Sequence, residues 1–268
     1  MPTPLTQPQF DVLLALVRAG DALTQRQIHE ATGMSPESVN AAVRELEARG
    51  CVVDRRIADA GLEALEPYRV SNAIIMAAGL SERFAPISYE RPKGTLRVRG
   101  EILIERQIRQ LHEAGIADIT VVVGYKKEYF FYLAEQFGVT IVINDEYLVR
   151  NNNGSLWRVR KRLGNTYICS SDDYFTSNPF EPYAYRAYYS AQYVEGPTQE
   201  WCISTGPGDR ITGATVGGRD AWTMLGHAYF DRAFSATFTR ILEEVYDLPR
   251  TAPLLWESIY LDHVKELD

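Results

Sequence analysis

Four short runs rich in β-branched and aliphatic residues, at 72–76, 118–123, 139–143 and 166–169, are separated by stretches with apolar side chains at helical spacing, at 103–114 and 128–137. Strands this short and this apolar have no face to give to water. Alternating with amphipathic helices, they can bury themselves only in a mainly parallel sheet covered by helices. Crossovers of that kind are right-handed and bring ligands to the carboxyl ends of the strands, so the loops after the first and fourth runs are where chemistry is expected. Residues 71–268 therefore read as one α/β, Rossmann-like domain.

Residues 1–70 have a different texture. Phe10, Leu13, Leu14 and Val17 recur at helical spacing up to Gly20. Thr24 then precedes a second helix as an N-cap, Gly33 interrupts it, and Ser35-Pro36 opens a third that runs to about Arg49. Helix, short Gly-containing turn and helix make a helix-turn-helix. The run from Leu23 to Ser35 and on through Val43 to Gly50 resembles the winged helix of MarR-like transcription regulators. That resemblance implies a recognition helix presenting Ser38, Asn40 and Arg44 to a major groove. Phosphate contacts supply most of such affinity, yet residues 1–70 hold ten acidic side chains against seven basic, a net of −3. The charge balance therefore disfavours DNA as a partner of residues 1–70 and favours a docking or dimerisation appendage.

Across all 268 residues the net charge is −7, which excludes a generic nucleic-acid-coating protein. No apolar run approaches the roughly 18–20 residues that a membrane span requires. Met1-Pro2-Thr3-Pro4 lacks the basic start and apolar core of a secretory signal, so a cytoplasmic protein is expected. Cys51, Cys169 and Cys202 show no Cys-x-x-Cys spacing, and the four histidines stand far apart. No serine sits in Gly-x-Ser-x-Gly, so neither a thiolate zinc site nor a common hydrolase is indicated.

The most informative segment follows the first strand: Met76-Ala77-Ala78-Gly79-Leu80-Ser81-Glu82-Arg83, with Pro92-Lys93 beyond it. Small residues let backbone N–H groups approach a triphosphate, and Arg83 and Lys93 place positive charge where pyrophosphate leaves. This segment resembles the signature of nucleotidyltransferases that activate sugar phosphates and phosphocholine, in which Ala-Ala-Gly-x-Gly-x-Arg is followed by Pro-Lys. Ser81 stands where that family carries a second glycine. The resemblance implies a nucleotidyltransferase domain, with Ala77, Ala78, Gly79, Ser81 and Glu82 at the nucleotide and Lys93 and Arg83 as catalytic cations.

Further along, Asn144-Asp145-Glu146-Tyr147 and Asn151-Asn152-Asn153-Gly154-Ser155-Leu156 resemble segments of the LicC-type CTP:phosphocholine cytidylyltransferases. This likeness implies CTP and phosphocholine as substrates and makes Asn152 and Ser155 candidate nucleotide contacts. Asp172, at the end of the fourth strand, falls on the family's Mg²⁺ ligand, with Asp173 beside it as a residue that shapes the loop. Glu257, in Leu255-Trp256-Glu257-Ser258, stands in for the aspartate of the family's Trp-Asp-Asn segment as a second ligand. Trp201 falls on a tryptophan that meets choline, a role suited to cation–π attraction. Pro253 and Leu255 depart from the family's Asp and Tyr near the cation, and the resemblance leads one to expect a further strand and helix after Lys265. The implied reaction is transfer of CMP from CTP to phosphocholine. The alternatives are a sugar-1-phosphate nucleotidyltransferase, or a transcription regulator whose enzyme-like domain senses a nucleotide.

Overall fold

A computed structural model describes residues 3–81 and 85–267. The chain divides into two compact units, residues 1–69 with 183–185, and residues 70–182 with 186–268. No helix among the described residues is long and apolar enough to cross a membrane.

In the first unit, helix α1 (Gln7–Ala19) ends at Gly20 as the sequence signals, and α2 (Gln25–Thr32) and α3 (Pro36–Ala48) start after the Thr24 and Ser35 caps read from it. Thr24 Oγ1 accepts the Gln27 N–H at 3.3 Å while Gln27 Oε1 accepts the Thr24 N–H at 2.9 Å, a reciprocal cap. Ser35 Oγ caps α3 by accepting the Ser38 N–H at 3.2 Å. Strands β1 (Val52–Val53) and β2 (Arg56–Ile57) form the wing, and Asp54 and Arg55 both have positive φ in the tight turn between them. Helix α4 (Asp59–Leu65) follows. Phe10, Leu13, Leu16, Val39, Leu46 and Leu65 make the core. Tyr183 and Tyr185, from much later in the chain, complete it. The Tyr185 ring stacks on Tyr68 with centroids 5.6 Å apart, its hydroxyl donates to the Leu5 carbonyl at 3.2 Å, and Arg69 donates to the Tyr183 hydroxyl at 2.6 Å.

The second unit is a six-stranded sheet built on β3 (Asn72–Ala77). A short hairpin, β4 (Arg97–Val98) and β5 (Glu101–Ile102), leads into α5 (Leu103–Glu113). Next come β6 (Ile119–Val123), α6 (Tyr132–Phe137), β7 (Thr140–Ile143), α7 (Asn152–Val159) and β8 (Thr166–Ser170). The four predicted strands all form. The predicted helix over 128–137 is shorter than expected, because a 3₁₀ turn at Lys127–Phe130 precedes α6. The order across the sheet is β7, β6, β3, β8, with every one of these pairs parallel. Succession along the chain thus moves outward from β3 on one side and returns on the other, which makes the β3/β8 boundary the topological switch point.

Beyond β8, an antiparallel ribbon of β9 (Tyr188–Thr205) and β10 (Ile211–Phe230) finishes the sheet, so it is mixed but mainly parallel. Helices α8 (Arg232–Val245) and α9 (Trp256–Asp262) close the chain. Leu156 of α7, Phe234, Phe238 and Ile241 of α8, and Trp256 and Ile259 of α9 pack on Ile74, Val122 and Ile168 of the sheet. Ile75 and Val121 are equally buried and, by strand alternation, point to the opposite face. Each such side chain contributes roughly 1.5–3 kcal/mol by burial, so this core holds β3 and β8 rigidly side by side.

His227 of β10, 4% exposed, lies opposite Cys169 of β8 among Tyr167, Phe175, Phe180 and Tyr188. Its Nε2 is 2.7 Å from Ser190 Oγ, and burial pushes its pKa down to about 4. The folded state therefore keeps this imidazole neutral where the unfolded chain, with a histidine pKa near ~6.5, takes up a proton. Its contribution to stability is present above that unfolded value and is lost as the pH falls towards 4. In denaturant titrations, wild type is expected to lose up to about 3 kcal/mol relative to His227→Leu between pH 7 and pH 4; a difference between the two proteins that stays constant with pH would contradict this.

Candidate active site

The switch point opens into a cavity of about 980 Å³, within the second unit and at the upper end of the range for small-molecule sites. Its floor is made by the loops that leave β3 and β8. After β3 the chain passes through Ala78, Gly79, Leu80 and Ser81, all of which line the cavity. Tyr125 donates its backbone N–H to the Ala78 carbonyl at 3.1 Å and pins the start of this loop. Ser81, at the position of the family's second glycine, has φ 54 and so occupies the left-handed region that a side chain enters at a cost. Ala77, the last residue of β3, is buried beside the loop and is not on the cavity wall. Glu82 and Arg83 lie outside the described residues.

Lys93 and Asp172 meet across the floor as an ion pair, each side chain 28% exposed and each lining the cavity. A close approach of two backbones brings them together. A Cβ on Gly94 would lie 2.9 Å from the Cβ of Ser171, so only glycine lets the Lys93 turn rest against the loop that carries Asp172. Asp173, the next residue, also faces the cavity, and its Oδ2 has no hydrogen-bond partner. Burial pushes its carboxyl up to about 8, with the Asp172 charge acting in the same direction and Lys93 opposing. Gly226 of β10, at φ 87, covers it so closely that a Cβ there would lie 3.0 Å from Asp173 Oδ2.

The walls come from α7 and from the ribbon. Asn152 lies at the start of α7 and Ser155 one turn on, and both line the cavity. Ser155 Oγ accepts from Asn144 Nδ2 at 3.2 Å, and Asn144 Oδ1 in turn accepts the Glu146 N–H at 3.0 Å, which fixes the loop carrying Tyr147, Leu148 and Val149 over one rim. On the ribbon, Glu200, Met224, Leu225 and Gly226 line the other side.

Two more of the residues singled out from sequence, beside Ala77, are not on the cavity wall. Trp201 is half-buried on β9, paired with Val216, while its neighbour Glu200 lines the cavity. Successive strand residues face opposite ways, so Glu200 can line the cavity where Trp201 does not. Glu257 is likewise absent from the cavity lining: its Oε2 accepts from Asn152 Nδ2 at 3.0 Å and its Oε1 from the Tyr189 hydroxyl at 3.3 Å. Burial pushes the Glu257 carboxyl up, against those hydrogen bonds and one from its own backbone N–H. Among the described residues no three His, Cys, Asp or Glu side chains converge as a metal cage.

A doubly wound sheet whose switch-point crevice carries a phosphate-type loop, a lysine and an aspartate is the framework of a nucleotidyltransferase, and comparison with known proteins agrees. Residues 73–170 match the MobA-like NTP transferase domain, and residues 3–61 match the MarR family. The chain is 35% identical over 196 residues to the choline-phosphate cytidylyltransferase of Streptococcus pneumoniae, covering 73% of this chain and 86% of that one. It is 36% identical over 202 residues to the 2-aminoethylphosphonate cytidylyltransferase of Lancefieldella rimae, covering 74% and 82%. The solved CTP:phosphocholine cytidylyltransferase (LicC) of Streptococcus pneumoniae superposes with a TM-score of 0.71 at 35% identity, over 75% of this chain and 87% of that one. The chain belongs to the LicC-like cytidylyltransferase family, with a MarR-like winged helix at its N-terminus.

Two substitutions test this geometry. Gly94→Ala must drive the Lys93 turn away from Ser171, and with Lys93 read as a catalytic cation a displacement of about 1 Å is expected to cost on the order of 100-fold in kcat; near-normal turnover in that variant would contradict the packing described together with that reading. Ser81→Gly relieves the left-handed backbone and is expected to stabilise the chain by about 0.5–1 kcal/mol in denaturant titrations, whereas a loss of stability would show that the serine side chain holds the loop.

Proposed function

We propose that this protein transfers CMP from CTP to phosphocholine, giving CDP-choline and pyrophosphate. The observation that carries the reading is the Lys93–Asp172 pair at the mouth of the β3 phosphate loop, in a chain that is 35% identical over 196 residues to a choline-phosphate cytidylyltransferase. An oxygen of the acceptor phosphate attacks the α-phosphorus of CTP in line. The bond from that phosphorus to the bridging oxygen breaks, and pyrophosphate departs with the electron pair. The chain's task is to align the two phosphates and to stabilise the charge that builds on the leaving oxygens. Backbone N–H groups of residues 78–81 hold the triphosphate, and Lys93 neutralises the leaving group. Asn152 and Ser155 both line the cavity, and in this reading their amide and hydroxyl meet the base or ribose.

Asp172, with the unpartnered Asp173 Oδ2 beside it, forms an all-oxygen donor set on the cavity floor that suits Mg²⁺, which takes one or two carboxylates and completes its shell with phosphates and water. When bound there, Mg²⁺ would act as a Lewis acid that offsets phosphate charge.

A second acceptor reading has its own support. Tyr147 is the one aromatic side chain among the described residues lining the cavity, and Glu200 contributes a carboxylate. A primary ammonium is satisfied by a carboxylate and hydrogen bonds, whereas a quaternary ammonium relies on aromatic faces. The equal likeness to a 2-aminoethylphosphonate cytidylyltransferase points the same way. Pyrophosphate release with CTP and, in turn, phosphocholine, 2-aminoethylphosphonate and glucose-1-phosphate separates them. The highest kcat/KM is expected with phosphocholine; a preference for 2-aminoethylphosphonate would reassign the acceptor, and turnover only with the sugar phosphate would overturn the family reading of the pocket.

A further inference from the structure

Glu257 occupies the place of an aspartate that the family resemblance makes a metal ligand, yet its surroundings describe a different task. Helix α9 offers two consecutive residues to Asn152. The Trp256 backbone N–H donates to Asn152 Oδ1 at 2.7 Å, and Asn152 Nδ2 donates to Glu257 Oε2 at 3.0 Å. Held at both ends, the amide has one orientation, and it keeps one further donor and one further acceptor site for a ligand in the cavity it lines. The other carboxylate oxygen accepts from the Tyr189 hydroxyl at 3.3 Å. Tyr189 belongs to β9, in the ribbon that forms the opposite wall, and its ring stacks on Trp256 at 5.8 Å. Both oxygens of Glu257 are thus spent on neutral donors belonging to the two walls, and the residue itself does not reach the cavity.

We propose that Glu257 is a positioning residue that ties the α7 wall to the β9–β10 ribbon and fixes the Asn152 amide for the nucleotide, and that the metal is held without it. This rests on the reading of the cavity as a CTP site. The longer side chain explains the assignment physically: the extra methylene carries the carboxylate past the cavity wall into the gap between α7 and β9, where two hydrogen bonds compensate its burial.

The test uses the full chain with Glu257→Gln, Glu257→Leu, Tyr189→Phe and Asp172→Asn. Mn²⁺ affinity is read by electron paramagnetic resonance in the presence of CTP, and CTP KM and kcat are read separately. Glutamine retains an acceptor for Asn152, so Glu257→Gln is expected to hold Mn²⁺ within about twofold of wild type, while Asp172→Asn weakens it more than about tenfold. Glu257→Leu is expected to raise the KM for CTP about tenfold with a smaller fall in kcat, and Glu257→Gln to recover most of that loss. The proposal is overturned if Glu257→Gln weakens Mn²⁺ as much as Asp172→Asn does, or if Glu257→Leu leaves the KM for CTP at the wild-type value. If wild type binds no CTP, the cytidylyltransferase reading falls, and the tie is then read from thermal melts alone. Non-additive effects of Tyr189→Phe and Glu257→Leu would support it and additive effects would overturn it.

Discussion

The ion pair of Lys93 and Asp172 is the contact around which the rest of the catalytic unit is arranged. It joins a turn reached from β3 to the loop leaving β8, and it exists because Gly94 lets two backbones touch at Ser171. Both side chains keep over a quarter of their surface in water, so the pair adds little to stability. Its value is in placement. In the proposed reading, a polyphosphate bound on the cavity floor would compete with Asp172 for the Lys93 ammonium. The apolar layer between the sheet and α7, α8 and α9 keeps β3 and β8 in register and so keeps that pair assembled.

The parts of this protein that were legible in sequence are those specified by neighbours along the chain. Thr24, Ser35, Gly20 and Gly33 mark helix ends through local hydrogen bonds and backbone conformation, so α1, α2 and α3 could be bounded to within a few residues. The parallel strands could be read because burial on both faces leaves continuous apolar runs. The β9–β10 ribbon could not: it is half-exposed, carries Gly196, Pro197, Gly217 and Gly218, and its register shifts several times. Which of Glu200 and Trp201 lines the cavity could not be told from so uneven a strand pair. Glu257 shows the same limit, since nothing near Trp256 in the chain reveals that Asn152 and Tyr189 will meet its two oxygens. Tyr183–Tyr185 completes the core of the N-terminal unit from more than a hundred residues away, a pairing that only the fold discloses.

The winged helix bears on function through charge. Several of its arginines are already engaged: Arg26 with Glu30, Arg56 with Asp21, and Arg49 with Gln9 and the Thr3 carbonyl. Together with the net charge of −3 for residues 1–70, this leaves a surface unlike the basic face that nucleic acid selects. Tyr183–Tyr185 belong to this unit although they follow Asp172 and Asp173 in the chain, so its core is not built from the first seventy residues alone.

The central claim is that cytidylyl transfer occurs at the switch-point floor and depends on Lys93. Single-turnover transfer from CTP, measured by rapid quench in Lys93→Ala beside equilibrium CTP binding, tests it most directly. The account requires CTP to bind within roughly tenfold of wild type while the transfer step slows by about 100-fold or more, the scale of losing one preorganised electrostatic partner of the transition state. Near-normal transfer in that variant would contradict it.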